Sequence, residues 1–284
     1  MAALHYTNDL CPFAHRAMFA RALCPVKNIE TVHIPYKRQV DFAFKFDNNT
    51  WPGSTDLGQQ MLREKRNNVY QGLNANDLKA RKDKYVANVN PAGEVPSLQL
   101  SNGGILVESD VVMEYFATAG DNTKYKLIPA DPELLCRMRL AIKRFNDVTG
   151  PLFMLLKNQN KKMDKKIKEI IYNKMEAFIN SIDKESSFCF GNQVTLADVH
   201  CGPILYRMQI ALDYYRHFHI RNINPRVGAI LDAVISLPEW QSGLVSDEEI
   251  IANYELPSNG MIYAEDGETF AGRGRDEVII SSLL

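Results

Sequence analysis

The sequence predicts two successive folding units, a mixed α/β unit followed by an all-helical unit. At the start of the chain, residues 3–7 and 28–35 are typical of strands, and residues 14–23 between them are typical of a helix. After residue 133, apolar residues recur at helical spacing over three long stretches. Residues 128–132, between the two units, contain two prolines and are typical of a linker. A chain of 284 residues that is 45% hydrophobic and 24% charged can bury a core for both units.

A cysteine and a proline lie at the junction of the first strand and the first helix. Pro12 fits the first turn of a helix, because the N–H that proline lacks would have no partner there. Cys11 would then lie at the helix N-terminus, where unpaired amides and the helix dipole favour the thiolate, the form that attacks electrophiles. His15 and Arg16 could add positive charge, although His15 could equally make a surface contact. The alternative for Cys11 is an inert buried cysteine, a common residue of protein cores.

Residues 36–77 form a long insertion between the second predicted strand and the next recognisable motif. They combine an alternating aromatic piece at 42–46 with a polar helical piece at about 57–69. A connection of this length inside a compact domain is usually either functional or mobile. Three hypotheses stay open for it: a lid beside Cys11, a docking surface, and a loop particular to this chain.

A second motif occupies residues 90–100. A Pro-x-Gly turn leads there into Val95 and Pro96 and then into a predicted strand, which tolerates a proline at its first position. The bond between Val95 and Pro96 can be cis, which would leave the backbone N–H and C=O groups of Val95 free. Those two groups could pair with the backbone of an extended peptide.

The third motif begins with a turn at residues 102–104, which leads through a short predicted strand to a helix at 111–117. Glu108 and Ser109 precede this helix, so a carboxylate, a hydroxyl and free backbone amides meet at its N-terminus. Such a group of atoms can hold the carboxylate and ammonium ends of a small ligand. The alternative is that Ser109 acts only as the helix N-cap.

Together the three motifs resemble the N-terminal, thioredoxin-like half of the glutathione transferase superfamily, and most of all its omega-like members, which contain a cysteine. The residues that carry the resemblance are Cys11, Pro12, Phe13, Ala14 and Arg16, then Asn90, Pro91, Gly93, Val95 and Pro96, and then Glu108 and Ser109. The resemblance implies a thioredoxin-like α/β domain at residues 1–127 that binds glutathione, with the insertion at about 36–77.

The same resemblance implies roles for the residues around the thiol. Cys11 would form a mixed disulfide with glutathione, and Phe13 would line the site. Val95 would pair with the backbone of the cysteinyl residue of glutathione, immediately before a cis Pro96.

The resemblance also assigns the two charged ends of glutathione. Glu108 and Ser109 would hold the γ-glutamyl end. Lys82 lies where such proteins often have a lysine for the glycyl carboxylate, although the basic run at residues 79–84 could equally be a solvated face.

The rest of the chain is expected to form an all-helical domain at residues 133–257 and a C-terminal extension at 258–284. Helices are predicted at 133–149, 162–181 and 201–215. The extension could pack across the domain interface or be disordered.

A capping segment opens the last of these helices. Residues 190–198 resemble the helix-capping segment of the second domain in the same superfamily. Thr195 can cap the free amides while Asp198, three residues later, reaches back to the start of the helix. This is a folding element, and neither residue is expected to be catalytic.

The composition argues against several classes of partner. A net charge of -1 gives no electrostatic case for a nucleic acid or an anionic membrane. The five cysteines form no Cys-x-x-Cys pair, which argues against a disulfide framework and against a metal site. The N-terminus lacks the pattern of a secretory signal, and no apolar run is long enough to span a membrane. We therefore expect a cytoplasmic protein.

The predicted function is that of a glutathione-dependent thioltransferase or a dehydroascorbate-reductase-like enzyme, because cysteine is a soft nucleophile and a good leaving group. The resemblance implies glutathione as cosubstrate, a small electrophilic, disulfide or oxidised second substrate, and a homodimer. Two alternatives stay open. One is a non-enzymatic binding or assembly module, as in chloride intracellular channel proteins or translation complexes, and the other is a glutathione-dependent dehalogenase or etherase.

Overall fold

The computed structural model of the chain describes residues 2–36, 73–258, 261–264 and 270–273. Most of the predicted insertion at 36–77, including its aromatic and polar helical pieces, lies outside the described residues. In the described part, a small mixed sheet with helices precedes a set of packed helices, which confirms the predicted fold class.

The elements of the N-terminal part are β1 (Ala3–Thr7), α1 (Pro12–Leu23), β2 (Ile29–His33), α2 (Ala75–Asn88), β3 (Ser97–Gln99), β4 (Ile105–Val107) and α3 (Ser109–Ala119). The helical part contains α4 (Pro132–Lys157), α5 (Asp164–Ile179), α6 (Leu196–Arg216), α7 (Pro225–Ile235) and α8 (Asp247–Ser258), with short 3-10 helices at Lys161–Met163, Ile220–Asn222 and Pro238–Gly243. The strands β5 (Met261–Tyr263) and β6 (Phe270–Arg273) then pair as an antiparallel hairpin.

The four-stranded sheet has the order β2-β1-β3-β4 and is built around the inner strand β1. As the β-α-β pattern predicts, β1 is parallel to β2, and on its other side it is antiparallel to β3. Alternate side chains of β1 point to opposite faces. The Tyr6 ring lies 5.1 Å from that of Tyr85 on α2, and the His5 ring lies 5.1 Å from that of Phe116 on α3. Cys11 follows at the carboxyl end of β1, so the sheet fixes where α1 begins.

The helix α2 is not predicted by the hydrophobic pattern, because six of its 14 residues are charged and few are apolar. A capping box opens it: the N–H of Asp77 donates to Asn74 at 3.0 Å, and the N–H of Asn74 donates back to Asp77 at 3.3 Å. Leu78 and Tyr85, seven residues apart, are both buried, and the Tyr85 ring packs on Tyr6 of the sheet. This narrow apolar stripe is enough to dock the helix.

The helix α4 continues past residue 149, where the sequence predicts its end. Pro151 lies inside the helix, although an interior proline removes one backbone hydrogen bond and typically costs about 3 kcal/mol. Val148, Leu152 and Leu155 are fully buried on both sides of the proline, where α4 packs against α5 and α6. Burial of such side chains contributes about 1.5–3 kcal/mol each and therefore offsets the proline.

The described part of the C-terminal extension packs on α6 through β5. Arg216, which is fully buried, donates hydrogen bonds to the carbonyl oxygens of Leu155 and Ser258, both at 3.2 Å, and to that of Met261. Tyr263 is also fully buried. The arginine thus joins the end of α4 to the start of the extension within the helical part.

The predicted capping box at the start of α6 is present. One carboxylate oxygen of Asp198 accepts the N–H and the hydroxyl of Thr195, both at 2.8 Å. The other accepts the N–H of Cys189 at 2.7 Å, and the Asp198 side chain is fully buried. Asp198 therefore ties the preceding loop to the first turn of α6.

We expect Asp198→Asn to lower the free energy of unfolding by about 3 kcal/mol, because the asparagine leaves buried donors without an acceptor, at about 1–3 kcal/mol each. Urea unfolding followed by circular dichroism measures the loss. Asp77→Asn is the matched control, since Asp77 holds the same position in the exposed capping box of α2. Its loss should stay below about 1 kcal/mol. Equal losses for both variants would contradict the role of burial.

The described helices lack the length and apolar character that crossing a membrane requires. The five cysteines are all free thiols, and four of them are buried; Cys136 on α4 is exposed. Within the described ranges, no group of three or more His, Cys, Asp or Glu side chains is arranged to hold a metal ion.

Candidate functional site

Cys11 is the N-cap residue of α1. Its sulfur accepts the N–H of Ala14 at 3.4 Å, and the thiol donates to the carbonyl oxygen of Val95 at 3.5 Å. The helix dipole and the Ala14 amide both favour negative charge on this sulfur. The residue is 6% exposed, and it lines the main cleft of the described chain, so the sulfur is within reach of a ligand there.

The loop that faces Cys11 is held from behind by α2. The Val95–Pro96 peptide bond is cis, as the resemblance implies. The hydroxyl of Tyr85 donates to the carbonyl oxygen of Glu94, and the side-chain amide of Asn90 donates to the same oxygen at 3.0 Å. These contacts fix the backbone of Val95 opposite the sulfur of Cys11.

Glu108 and Ser109 begin α3 at another side of the cleft. Glu108 is the N-cap residue, with a φ angle of 72° and no capping hydrogen bond from its side chain. A non-glycine residue in this region is uncommon and strained, and such residues cluster at functional sites. Ser109 is the first helical residue and accepts a hydrogen bond from the Arg16 guanidinium at 3.2 Å. The alternative in which Ser109 is only an N-cap is therefore wrong.

Arg16 connects this corner of the cleft to the helical part. Its guanidinium is buried, lies 3.5 Å from a carboxylate oxygen of Asp110, and donates to the backbone oxygen of His200 on α6 at 2.7 Å. The His200 ring lies 3.0 Å from Asp110 and 2.9 Å from the side-chain oxygen of Asn146 on α4. A polar network thus extends from Ser109 into the core of the helical part.

The charges of this network follow from burial and from its hydrogen bonds. Burial alone would raise the pKa of Asp110, but the hydrogen bond with His200 and the charge of Arg16 outweigh it and lower that pKa to about 2. Burial, assisted by the charge of Arg16, lowers the pKa of His200 to about 4. At neutral pH, Arg16 and Asp110 therefore form an ion pair beside a neutral His200.

His15 is fully buried where α1 meets the helical part. One ring nitrogen accepts from the Arg207 guanidinium at 2.8 Å, and the other lies 3.2 Å from the carbonyl oxygen of Trp240. Burial, together with the charge of Arg207, holds the pKa of His15 well below its ordinary value, so the ring is neutral. Both sequence-based hypotheses for His15, a surface contact and a source of positive charge, are therefore wrong.

A cleft of about 800 Å³ lies between α2, the cis-proline loop and the N-termini of α1 and α3. It brings together all seven residues that the resemblance assigns to the site: Cys11, Phe13, Lys82, Val95, Pro96, Glu108 and Ser109. The ammonium group of Lys82 donates to the carbonyl oxygen of Gly93, and burial lowers the pKa of Lys82. Lys82 is thus a half-buried part of the cleft wall.

Phe13 forms an aromatic wall next to the sulfur. Its ring is stacked on that of Phe153 from α4, with centroids 6.3 Å apart and planes 15° apart, and Phe153 in turn lies 6.2 Å from the Tyr254 ring. The Arg16 guanidinium lies 5.0 Å from the centroid of Phe13. The helical part therefore supports the Phe13 ring through Phe153.

Several residues that shape the site are not predicted from the sequence. Tyr85 could have been found through α2, because Asn74 and Asp77 have capping-box spacing and Leu78 lies seven residues before Tyr85. No spacing or motif in the sequence marks His200 or Arg207 as part of the site. They act only through packing between segments nearly 200 residues apart, which no local pattern reveals.

Comparisons with known proteins agree with this geometry. The family model described as "Glutathione S-transferase, N-terminal domain" matches residues 10–119. The chain is 25% identical to glutathione S-transferase omega-1 of Mus musculus over 128 residues, which are 45% of this chain and 52% of that protein. It is 23% identical to glutathione S-transferase DHAR3, chloroplastic, of Arabidopsis thaliana over 196 residues, which are 68% of this chain and 70% of that protein. It therefore spans about half the length of the mouse relative.

A solved structure shows the same fold over most of the chain. Glutathione transferase Omega 3C from Trametes versicolor superposes with a TM-score of 0.64 at 15% identity, over 89% of this chain and 90% of that chain. The N-terminal family match, the omega-class and DHAR relatives and the shared fold all indicate one superfamily. Residues 10–119 therefore carry the N-terminal domain of the glutathione S-transferase family, and the chain is similar to omega-class and DHAR glutathione S-transferases and shares the fold of an omega-class glutathione transferase.

Proposed function

We propose that this protein is a glutathione-dependent thioltransferase in which Cys11 forms a mixed disulfide with glutathione. The observation that carries the proposal is the position of the Cys11 sulfur, which caps α1 and faces the cis-proline loop in the main cleft. A thiolate at a helix N-terminus is the usual nucleophile of thiol–disulfide exchange. The similarity to omega-class and DHAR proteins supports the same assignment.

The proposed reaction has two exchange steps. In the first, the Cys11 thiolate attacks the glutathione sulfur of a mixed disulfide, so that a bond forms between Cys11 and glutathione and the substrate leaves as a thiolate. In the second, the thiolate of another glutathione attacks this new disulfide. Oxidised glutathione leaves, and the Cys11 thiolate is regenerated, so electrons and sulfur bonds balance over the cycle.

The walls of the cleft suggest how glutathione would be oriented. Val95 would pair with the cysteinyl backbone of glutathione, with Pro96 fixing that loop. Glu108 and Ser109 would bind the γ-glutamyl end at the N-terminus of α3, where free amides attract a carboxylate. Lys82 would attract the glycyl carboxylate at the opposite side. Phe13 would cover the reacting sulfur atoms.

Incubation with oxidised glutathione tests the proposal directly. We expect one glutathione adduct, which peptide mass spectrometry locates on Cys11. Reduced glutathione added afterwards should remove this adduct. The same protein should then catalyse the reduction of the mixed disulfide of cysteine and glutathione. A protein that forms no adduct and has no such activity would instead be a binding module, and the proposal would be wrong.

We also propose that the chain divides into a glutathione-binding domain at residues 1–127 and a helical domain at 133–257, followed by the extension at 258–284. We propose a homodimer in the cytoplasm, acting on a small electrophilic, disulfide or oxidised substrate. Light scattering measures the dimer, and cell fractionation measures the location.

We expect Ser109→Ala to raise the KM for glutathione about tenfold while kcat changes less than threefold. The hydroxyl is proposed to bind the γ-glutamyl end and also accepts from Arg16, and one such hydrogen bond to a charged group is worth about 1.5–3 kcal/mol. Steady-state kinetics at varied glutathione concentration gives both constants. Ser101→Ala is the control, because Ser101 is exposed in the turn between β3 and β4. An unchanged KM in Ser109→Ala would remove Ser109 from the glutathione site.

A further inference from the structure

Arg207 of α6 is buried directly behind the segment that carries Cys11. The residue is 1% exposed, and its guanidinium donates to the backbone oxygen of Asp9 at 2.8 Å and to the ring of His15 at 2.8 Å. Asp9 lies two residues before Cys11, and His15 lies four residues after it. A third hydrogen bond, to the carbonyl oxygen of Gly243 at 3.0 Å, holds the guanidinium against the 3-10 helix Pro238–Gly243. Arg207 thus holds both flanks of the cysteine from the helical domain.

The charge of Arg207 has no carboxylate partner among the described residues. Its acceptors are two backbone oxygens and the neutral ring of His15, and its Nε atom has no hydrogen-bond partner there. Arg16, the other buried arginine beside Cys11, is different because Asp110 balances its charge. A buried cation without an anion costs several kcal/mol, which argues that a nearby group acquires negative charge.

Cys11 is the group near Arg207 that is most easily made negative, as a comparison of the ionisable neighbours of Arg207 indicates. Burial lowers the pKa of Arg207, and negative charge on any of four neighbours would oppose this effect: Tyr254, Cys11, Tyr36 and Tyr206. Three of the four are phenols, which ordinarily ionise near pH 10, and the pKa of Tyr206 is raised further, to about 12. The thiol is the only one of the four that ordinarily ionises below pH 9.

We propose that Arg207 is a positioning residue that supplies the counter-charge for the Cys11 thiolate from the helical domain. The inference rests on the proposed role of Cys11 as the nucleophile. Arg207 acts on the sulfur through the fixed flanks of the cysteine and through its charge, not through a direct hydrogen bond. The reactivity of the thiol in the N-terminal domain therefore depends on the docking of α6 against α1.

Other charged groups also face Cys11, and the test has to separate them from Arg207. The titratable and charged side chains that surround the sulfur or line its cleft are Arg16 on α1, Tyr36 after β2, Lys79, Lys82, Asp83 and Tyr85 on α2, Glu94 in the cis-proline loop, and Glu108 at the start of α3. All of these are unchanged in the Arg207 variants, so a difference between the variants reports on Arg207.

The test is the pH profile of alkylation of Cys11 by iodoacetamide in the full chain without glutathione. In this reaction the thiolate sulfur attacks the methylene carbon and iodide leaves, and peptide mass spectrometry separates Cys11 from the exposed Cys136. In Arg207→Gln we expect the profile to shift upward by about one pH unit and the rate at pH 7 to fall about tenfold, with the same plateau at high pH. Because no disulfide substrate is used, the result is independent of thioltransferase activity.

Two further variants separate charge from packing. Arg207→Lys keeps the positive charge, so its profile should stay within about 0.3 pH unit of the native one even if its melting temperature falls. Arg216→Gln removes another fully buried arginine of α6 that binds only backbone oxygens, and it should not move the profile. Arg207→Met replaces the glutamine variant if the latter does not fold. An unshifted profile in the neutral variant, or equal shifts in the lysine or Arg216 variants, would overturn the proposal.

Discussion

Replacement of Cys11 by alanine is expected to lower the glutathione-dependent reduction of a mixed disulfide at least about 100-fold and to abolish the glutathione adduct. The reason is that no other cysteine lines the main cleft of the described chain. Removing the nucleophile leaves only binding and orientation, which cannot replace the covalent step. The measurement combines steady-state kinetics with the intact mass of the protein after exposure to oxidised glutathione.

Two controls sharpen this prediction. Cys136→Ala removes the exposed cysteine of α4 and should keep full activity, which excludes a surface thiol as the source of reduction. Cys11→Ser keeps the size of the side chain and its place at the N-cap, so its fold should be native while its reductase activity is lost. If Cys11→Ala retained the activity, the thioltransferase assignment would fail.

The sequence predicts the parts of the site whose geometry is local. Cys11 caps α1 because a strand, a short turn and a proline at the first helical position leave little choice for the backbone. The placement of Glu108 before α3 likewise depends on residues within a few positions, whereas the cis bond at Pro96 is implied by the resemblance. Such short motifs specify turns and helix ends nearly independently of the remaining chain.

The rest of the site depends on contacts between distant segments, which local patterns do not encode. His15 is an example: its place in the first turn suggests a surface contact, whereas α6 and the segment of Trp240 bury it completely. The continuation of α4 through Pro151 has the same cause, since packing against α5 and α6 outweighs the preference of a proline for helix ends. Tertiary packing decides both cases.

Three histidines are buried in neutral form, and this makes the fold sensitive to mild acid. Burial lowers the pKa of His5 to about 3 and that of His200 to about 4, and it holds the pKa of His15 well below its ordinary value. In the unfolded chain each ring takes up a proton near pH 6.5. Below that pH the unfolded state binds more protons than the folded state, so stability falls as the pH falls.

The expected size of this effect is large. Each histidine contributes a slope of about 1.4 kcal/mol per pH unit once the pH is well below 6.5, so three contribute up to about 4 kcal/mol per unit. A typical domain has 5–15 kcal/mol of stability in total, and we therefore expect unfolding between about pH 5 and pH 4. The carboxyl of Asp110, with a pKa of about 2, loses its stabilising charge only below about pH 4, so its contribution falls in a separate window.

Urea unfolding at pH values from 7.5 to 4.5 measures the slope, and one variant isolates a single histidine. His5 makes an edge contact with Phe116, and neither of its ring nitrogens has a hydrogen-bond partner among the described residues, so His5→Phe removes one titrating group while keeping a ring in the core. We expect the slope of stability against pH to fall by about one third in this variant. His219→Gln, which replaces an exposed histidine, should leave the slope unchanged. A native slope equivalent to less than one proton would contradict the burial of neutral histidines, because each of the three must take up a proton when the chain unfolds in acid.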